Sequence, residues 1–230
     1  MKLLFMYLLS AGGLVDSIHA QTNETQSKTD RTCRIVFPQR PNSAPKVAYL
    51  FDGKENQKVT LPSMNFSPVI ILPKGNLTIL MSGAEITDIE NLPPKVPSLK
   101  IAESIRDFYI LVTPDPKNPT LPVKMNLVSA SDGKLKAGET LWFNLTEHRI
   151  LGKLGEAKLL VQPKGRMVSR DPLPTSGYYR AELAYQPEAK GAIQRITEQQ
   201  WWHDARSRHV GFIVTTGGKL PKIFFFRDFR

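Results

Sequence analysis

The residue types most capable of chemistry lie together near the C-terminal end of the chain. The candidate ligand-binding residues are Trp201, Trp202, His203, Asp204, Arg206, Arg208 and His209. If residues 196–202 and 210–215 pair as a hairpin, His203 and His209 flank its loop as near-opposite neighbours. Side chains directly opposite each other have Cβ atoms about 4.5–5.5 Å apart, and two imidazoles at that separation can share a metal ion.

The charges around these histidines favour other interpretations. Arg206 and Arg208 would repel a cation, so no metal site is predicted and the histidines are interpreted as structural. The same arginines offer planar guanidinium groups that suit a carboxylate or phosphate, and further arginines stand at positions 195, 227 and 230. The alternative to an anion site is an internal ion pair, such as Arg208 with Asp204 or Asp228, and the sequence favours the internal pair.

The adjacent tryptophans suggest a stacking surface. Indole presents a large apolar face and one polar N–H, which suits a sugar ring or an aromatic ligand. Because successive strand residues point to opposite faces of a sheet, Trp201 and Trp202 cannot share one face. The sequence therefore predicts one core tryptophan and one exposed tryptophan.

Familiar catalytic motifs are missing from the sequence. It contains no Gly-x-Ser-x-Gly nucleophile turn, no phosphate-binding Gly-x-x-x-x-Gly-Lys loop and no His-Glu-x-x-His metal motif. Acid–base chemistry would depend on His148, His203 and His209 or on carboxylates of unknown proximity. We therefore assign no catalytic residue and no cofactor, and we favour a non-catalytic role over an enzyme.

The candidate ligand-binding residues must be positioned by predicted strands, which are short apolar runs bounded by turns that contain Gly and Pro. The runs occupy residues 33–37, 46–51, 58–61, 68–72, 77–81, 108–112, 123–128, 140–145, 158–161, 167–169, 178–185, 210–215 and 223–226. Such spacing is typical of β-sandwiches. The predicted fold is all-β, with two tandem immunoglobulin-like β-sandwich modules and little helix; the alternative is one larger β-sandwich.

Local signals refine this prediction. Residues 192–202 are ambiguous between helix and strand, and their aromatic end favours a strand, whereas residues 99–105 suit a short helical turn. The turns at 52–54 (Asp-Gly-Lys) and 73–76 (Pro-Lys-Gly-Asn) should each close a hairpin, and Gly217-Gly218 should close another. Asp-Gly-Lys recurs at 132–134 and Pro-Lys-Gly at 163–165. We interpret the recurrence as coincidence that is compatible with similar architecture in the two halves.

The chain divides into five predicted segments. Residues 1–20 have the basic start, short apolar run and small-residue end of a signal peptide, and residues 21–31 form a polar, flexible leader. Residues 32–116 form the first sandwich, the Pro-rich segment 117–122 is a linker, and residues 123–230 form the second sandwich. The apolar run at the N-terminus is too short for a membrane span, and no later run reaches that length.

Charge and export limit the function classes. The chain has a net charge of +10 and one Cys, which excludes a disulfide framework. A basic exported protein suits an envelope protein or an anionic polysaccharide as partner, and not nucleic acid. We expect a secreted or periplasmic, non-catalytic binding or structural module of the bacterial cell envelope. The alternatives are a carbohydrate-binding protein or hydrolase centred on residues 201–209, and an assembly factor that uses an exposed strand edge.

Overall fold

The polypeptide forms only strands, turns and loops over the part that can be described. The computed structural model describes residues 31–130, 135–187, 191–215 and 220–228, and these contain sixteen strands and no helix. The prediction of an all-β protein is confirmed. The predicted signal peptide, the leader up to residue 30, and Gly217-Gly218 lie outside the described residues.

Eight strands make up each half of the chain. The first half contains β1 (Arg31–Val36), β2 (Val47–Phe51), β3 (Asn56–Thr60), β4 (Ile70–Leu72), β5 (Leu77–Ser82), β6 (Ser98–Ile101), β7 (Asp107–Pro114) and β8 (Val123–Ser129). The second half contains β9 (Thr140–Asn144), β10 (Arg149–Leu154), β11 (Ala157–Val161), β12 (Arg166–Ser169), β13 (Gly177–Gln186), β14 (Gln194–His203), β15 (Arg208–Thr215) and β16 (Pro221–Asp228).

The strands form four sheets of four, and both halves have the same topology. In the first half the sheet orders are β4-β1-β7-β8 and β3-β2-β5-β6; in the second they are β12-β9-β15-β16 and β11-β10-β13-β14. Each strand of the second half thus has the neighbours of the strand eight places earlier. The parallel pair β1–β7 also has its counterpart in the parallel pair β9–β15.

Apolar side chains arrange the sheets in four layers. One core lies between the two sheets of the first half, and a second core lies between the two sheets of the second half. A third cluster joins β7 and β8 to β9, β15 and β16, so the sheets containing these strands are inner sheets. We call the other two, β3-β2-β5-β6 and β11-β10-β13-β14, the outer sheets.

Strands β7, β9 and β15 of the inner sheets are nearly continuous apolar runs, because both of their faces are covered. In β7, Phe108 and Ile110 enter the core of the first half, while Tyr109 and Leu111 enter the cluster between the halves. Strand β16 alternates in the same way: Phe225 packs on the core of the second half and Phe226 on the opposite side. This arrangement confirms the interpretation of the C-terminal Phe run as a strand covered on both faces.

The proline-rich segment does not coincide with the division between the sheets. Strand β8, which follows it, pairs with β7 throughout its length and contributes Val123 and Met125 to the core of the first half. Residues 117–122 therefore connect two strands of one sheet. Arg31, which was predicted to belong to the flexible leader, is the first residue of β1. It is fully buried, and its guanidinium donates hydrogen bonds to four backbone carbonyls.

Two local predictions are wrong in whole or in part. A short helical turn was expected over residues 99–105. Residues 98–101 instead form strand β6, and only residues 102–105 form a turn, in which the Ile105 N–H donates to the Ala102 carbonyl at 3.0 Å. The turn at 73–76 links β4 of the inner sheet to β5 of the outer sheet and closes no hairpin, whereas the turn at 52–54 does close the β2–β3 hairpin. Segment 163–165 joins β11 to β12, a position different from that of 73–75, which agrees with the interpretation of this recurrence as coincidence. The Asp-Gly-Lys segment at 132–134 lies outside the described residues. The strand prediction for residues 192–202 is confirmed by β14.

Gly211 has a strict packing requirement that yields a stability prediction. A Cβ at this position would lie 2.6 Å from Trp142 Cζ3, and the Trp142 ring is held by a 3.1 Å hydrogen bond from its Nε1 to Ser169 Oγ. Overpacking of this kind typically costs about 1–3 kcal/mol. Gly211→Ala should therefore lower the free energy of unfolding by about 2 kcal/mol in urea titrations. Gly83→Ala is the matched control, because its Cβ would meet nothing closer than 3.9 Å; equal losses in both variants would contradict the packing argument.

Candidate functional site

The segment carrying the candidate residues is divided by a turn between two sheets. Strand β14 ends at His203 in the outer sheet and β15 begins at Arg208 in the inner sheet, so the predicted hairpin between them is wrong. Asp204 organises the turn, because its Oδ1 accepts a hydrogen bond from the Arg206 backbone N–H at 3.1 Å and its Oδ2 accepts one from Ser207 Oγ at 2.9 Å. These hydrogen bonds lower the pKa of the Asp204 carboxyl.

Three candidate side chains enter the interior of the second half. Trp201 packs on Phe225 with 5.5 Å between ring centroids, and His209 stacks on the same ring at 4.9 Å. His203 is 3 % exposed, and its Nε2 has no hydrogen-bond partner among the described residues. These contacts support the structural interpretation of both histidines.

The interior environment has a clear electrostatic effect on His209. The pKa of this imidazole is lowered to about 4. Burial is the largest cause, and the nearby positive charge of Arg227 and the neighbouring His203 add to it. A neutral imidazole packed on a phenyl ring is a core side chain at neutral pH. Within the described ranges, no group of three His, Cys, Asp or Glu residues is placed to hold a metal ion.

Trp202 points the opposite way and meets a residue that the sequence prediction did not include. It lies directly across from Tyr178 in the β13–β14 pairing, with ring centroids 5.0 Å apart and ring planes at 74°. Trp202 is 48 % exposed and Tyr178 is 69 % exposed, and they are the only exposed large aromatic side chains among the described residues. We call these two residues the aromatic pair. The prediction of one core and one exposed tryptophan is confirmed.

Polar groups continue the outward face of this sheet beyond the aromatic pair. Arg180 lies opposite Gln200, one step along the same face. Its guanidinium forms ion pairs with Glu182 at 2.6 Å and with Glu198. Further along, a shallow depression of about 410 Å³ is lined in part by Leu151, Ile193 and Arg195. The face thus runs from exposed aromatic rings across paired charges to a partly apolar hollow.

The candidate arginines do not converge on one anion site. The Arg206 side chain is 93 % exposed in the turn, 3.7 Å from Asp204, and Arg227 Nη1 lies 3.9 Å from Asp204 Oδ2. Arg208 lies on the other side of the inner sheet and lines a cleft of about 470 Å³ between the two halves, together with Arg166, Asp107 and Glu139. The cleft therefore has mixed charge.

A buried ion pair lies beside this cleft and joins the two halves. Arg34 Nη1 of β1 is 2.7 Å from Asp228 Oδ1 of β16, and both side chains are at most 10 % exposed. The Tyr109 hydroxyl donates to Asp228 Oδ2 at 2.8 Å, and burial together with this carboxylate raises the pKa of the Tyr109 phenol. The sequence identified Asp228 as an internal partner but missed Arg34, which is 194 positions away.

Comparison with known proteins adds no family to this description. No protein-family model matches the chain, and no curated protein is significantly similar to it in sequence. The described residues also contain no apolar helix of membrane-spanning length.

Proposed function

We propose that this chain is an exported, non-catalytic binding module of the bacterial cell envelope that binds polysaccharide on the outer sheet of its second half. The observation that carries the proposal is the aromatic pair. Tyr178 and Trp202 are adjacent across two strands and exposed on one face. Soluble domains normally bury such large rings, and exposed aromatic side chains are typical of binding surfaces.

The chemistry of the face suits sugars. The C–H faces of a pyranose ring are apolar and can pack on an indole or phenol ring, while the sugar hydroxyls need hydrogen-bond partners. Gln200 and Arg180 provide amide and guanidinium groups one step from the rings. The ion pairs of Arg180 with Glu182 and Glu198 hold its guanidinium in place, so little side-chain ordering is needed on binding.

An anionic polysaccharide is the ligand class we propose, because the protein carries a net charge of +10. Long-range attraction of this kind is screened by salt. Binding should therefore weaken as ionic strength rises. A neutral polysaccharide would be held by the rings and hydrogen bonds alone and would show little salt dependence.

The wider architecture and location form part of the same proposal. Layered sheets in both halves are compatible with a β-sandwich architecture. Each inner sheet contains one parallel pair, and the sheet orders differ from the ABED and CFG sheets of the immunoglobulin constant domain. Rigid sheets of this type commonly serve as recognition scaffolds. Export rests on the signal-like residues 1–20. The hydrolase alternative receives less support, because His203 and His209 are buried.

Polysaccharide arrays and affinity electrophoresis test the binding proposal. Trp202→Ala and Tyr178→Ala should each weaken binding at least about tenfold, which corresponds to the loss of about 1.4 kcal/mol of stacking. Leu160→Ala is the matched control, because Leu160 is a 47 % exposed apolar residue on β11, at the other edge of the same sheet. If both aromatic variants bind polysaccharide with the affinity of the wild-type protein, the proposal is contradicted.

A further inference from the structure

Strand β14 presents a long backbone edge. It is the outermost strand of its sheet and pairs only with β13. Among the described residues, no other backbone group forms a hydrogen bond with residues 194–203. A row of outward N–H and C=O groups of this kind is a template for one more strand.

The other seven edge strands of the four sheets are short or contain a lysine, whereas β14 is long and has only Arg195 and Glu198 as charged residues. Proteins protect edges by keeping them short or by placing Lys or Pro in them. Strands β4, β6 and β12 have at most four residues, and β3, β8, β11 and β16 each contain a lysine. Strand β14 has ten residues and contains neither Lys nor Pro.

The contrast with β6 is the most informative, because β6 occupies the same topological position in the first half. It has four residues, contains Lys100 and follows a segment with prolines at 93, 94 and 97. The second half has the same sheet order but an edge strand of ten residues, whose pairing is regular from Thr197 to His203 and irregular at Ile196. The long edge is therefore specific to β14 and does not follow from the shared topology.

We propose that β14 is a self-association surface on which a second copy of this chain pairs antiparallel about a twofold axis at Gln200. This register places Thr197 opposite His203 of the other copy, and Glu198 opposite Trp202. The two Gln200 amides meet on the axis, where each can donate and accept a hydrogen bond. No like charges oppose each other, because the single acidic residue of β14 does not meet its own copy.

The regular part of the strand supports this register. The β13–β14 pairing shifts between Leu183 and Ala184, which leaves residues 197–203 as an unbroken run centred on Gln200. A twofold pair uses the same surface on both copies, as in most closed dimers. The resulting continuous eight-stranded sheet would carry both aromatic pairs on one face. Self-association does not depend on polysaccharide binding and is tested separately from it.

Sedimentation equilibrium and cross-linking test the proposed dimer. The purified protein should dimerise, and Gln200→Lys should weaken the dimer at least about fivefold, because two lysines would meet on the axis. Leu160→Lys, on the opposite edge strand β11, introduces the same charge and should leave the dimer unchanged.

Gln200→Cys should form an intermolecular disulfide on mild oxidation, whereas Leu160→Cys should not, and the native Cys33 is buried. A wild-type protein that remains monomeric at about 1 mM overturns the proposal. So does a dimer that Gln200→Lys leaves intact. A monomer whose β14 instead pairs with an extended segment of another protein would identify a different occupant and would also contradict self-association.

Discussion

Asp228→Ala is expected to lower the free energy of unfolding by about 3–5 kcal/mol, the range seen when one partner of a buried ion pair is removed. The Arg34 guanidinium would then stay buried and keep, among the described residues, only the Ser67 carbonyl as a hydrogen-bond acceptor, 2.9 Å from its Nε. The Tyr109 hydroxyl would lose its acceptor as well. Urea unfolding monitored by tryptophan fluorescence measures the loss.

A double-mutant cycle separates the ion pair from simple packing. Replacing both charges with apolar residues of similar size often costs little, because no unpaired charge remains. The double variant Arg34→Met/Asp228→Leu should therefore be more stable than either Arg34→Met or Asp228→Leu alone. Additive losses in the double variant would show that the two side chains do not interact, contrary to their 2.7 Å separation.

The second large effect is a loss of stability in mild acid caused by His209. In the folded protein the pKa of this imidazole is about 4, against 6.5 for an unperturbed histidine. Between these values the unfolded chain binds a proton that the folded chain excludes, so stability falls as pH falls through this window and is fully present above pH 6.5. The shift corresponds to about 3 kcal/mol.

His209→Phe provides the control for this pH dependence. Phenylalanine can keep the ring stacking on Phe225 but cannot be protonated. Urea unfolding between pH 7 and 4 should therefore show a smaller slope in the variant, by up to about 1.4 kcal/mol per pH unit. Identical slopes in the two proteins would mean that His209 is not the group responsible.

Most strands could be predicted from the sequence, because the alternation of apolar and polar residues within each short segment indicates a strand with one buried face. Runs such as 77–81 and 178–185 match β5 and β13 since alternating apolar residues must face a core. Strand β10 was missed because Gly152 resembles a strand breaker; in the sheet, a Cβ at this position would lie 2.6 Å from the Glu182 carbonyl oxygen. That close approach comes from β13, which is distant in sequence.

Pairing between distant segments also explains why the Pro-rich segment connects strands of one sheet and why two hairpins were predicted wrongly. The prolines within residues 114–122 indicate a loop after β7. They do not indicate whether the next strand, β8, joins the same sheet as β7 or a different one. Likewise, Gly75 adopts the positive φ expected of a turn, 85°, yet the turn leads to the other sheet. Turn residues determine local chain direction, whereas the neighbour of each strand is determined by the packing of the whole layer.

The candidate site was predicted in part, for the same reason. Strand alternation separates Trp201 from Trp202 without any knowledge of the fold. The partner Tyr178 required the β13–β14 register, and the separation of Arg206 from Arg208 required the turn between sheets. Of the aromatic pair, Trp202 was therefore predicted from the sequence, whereas Tyr178 was identified only from the strand pairing.

Indole N–H resonances in a two-dimensional NMR spectrum test the central claim most directly. The protein has three tryptophans, of which Trp142 and Trp201 contribute to the core of the second half and Trp202 is exposed. Titration with a polysaccharide that binds should shift the Trp202 indole signal strongly and leave that of Trp142 in place. Saturating polysaccharide that binds without moving the Trp202 signal would contradict binding at the aromatic pair.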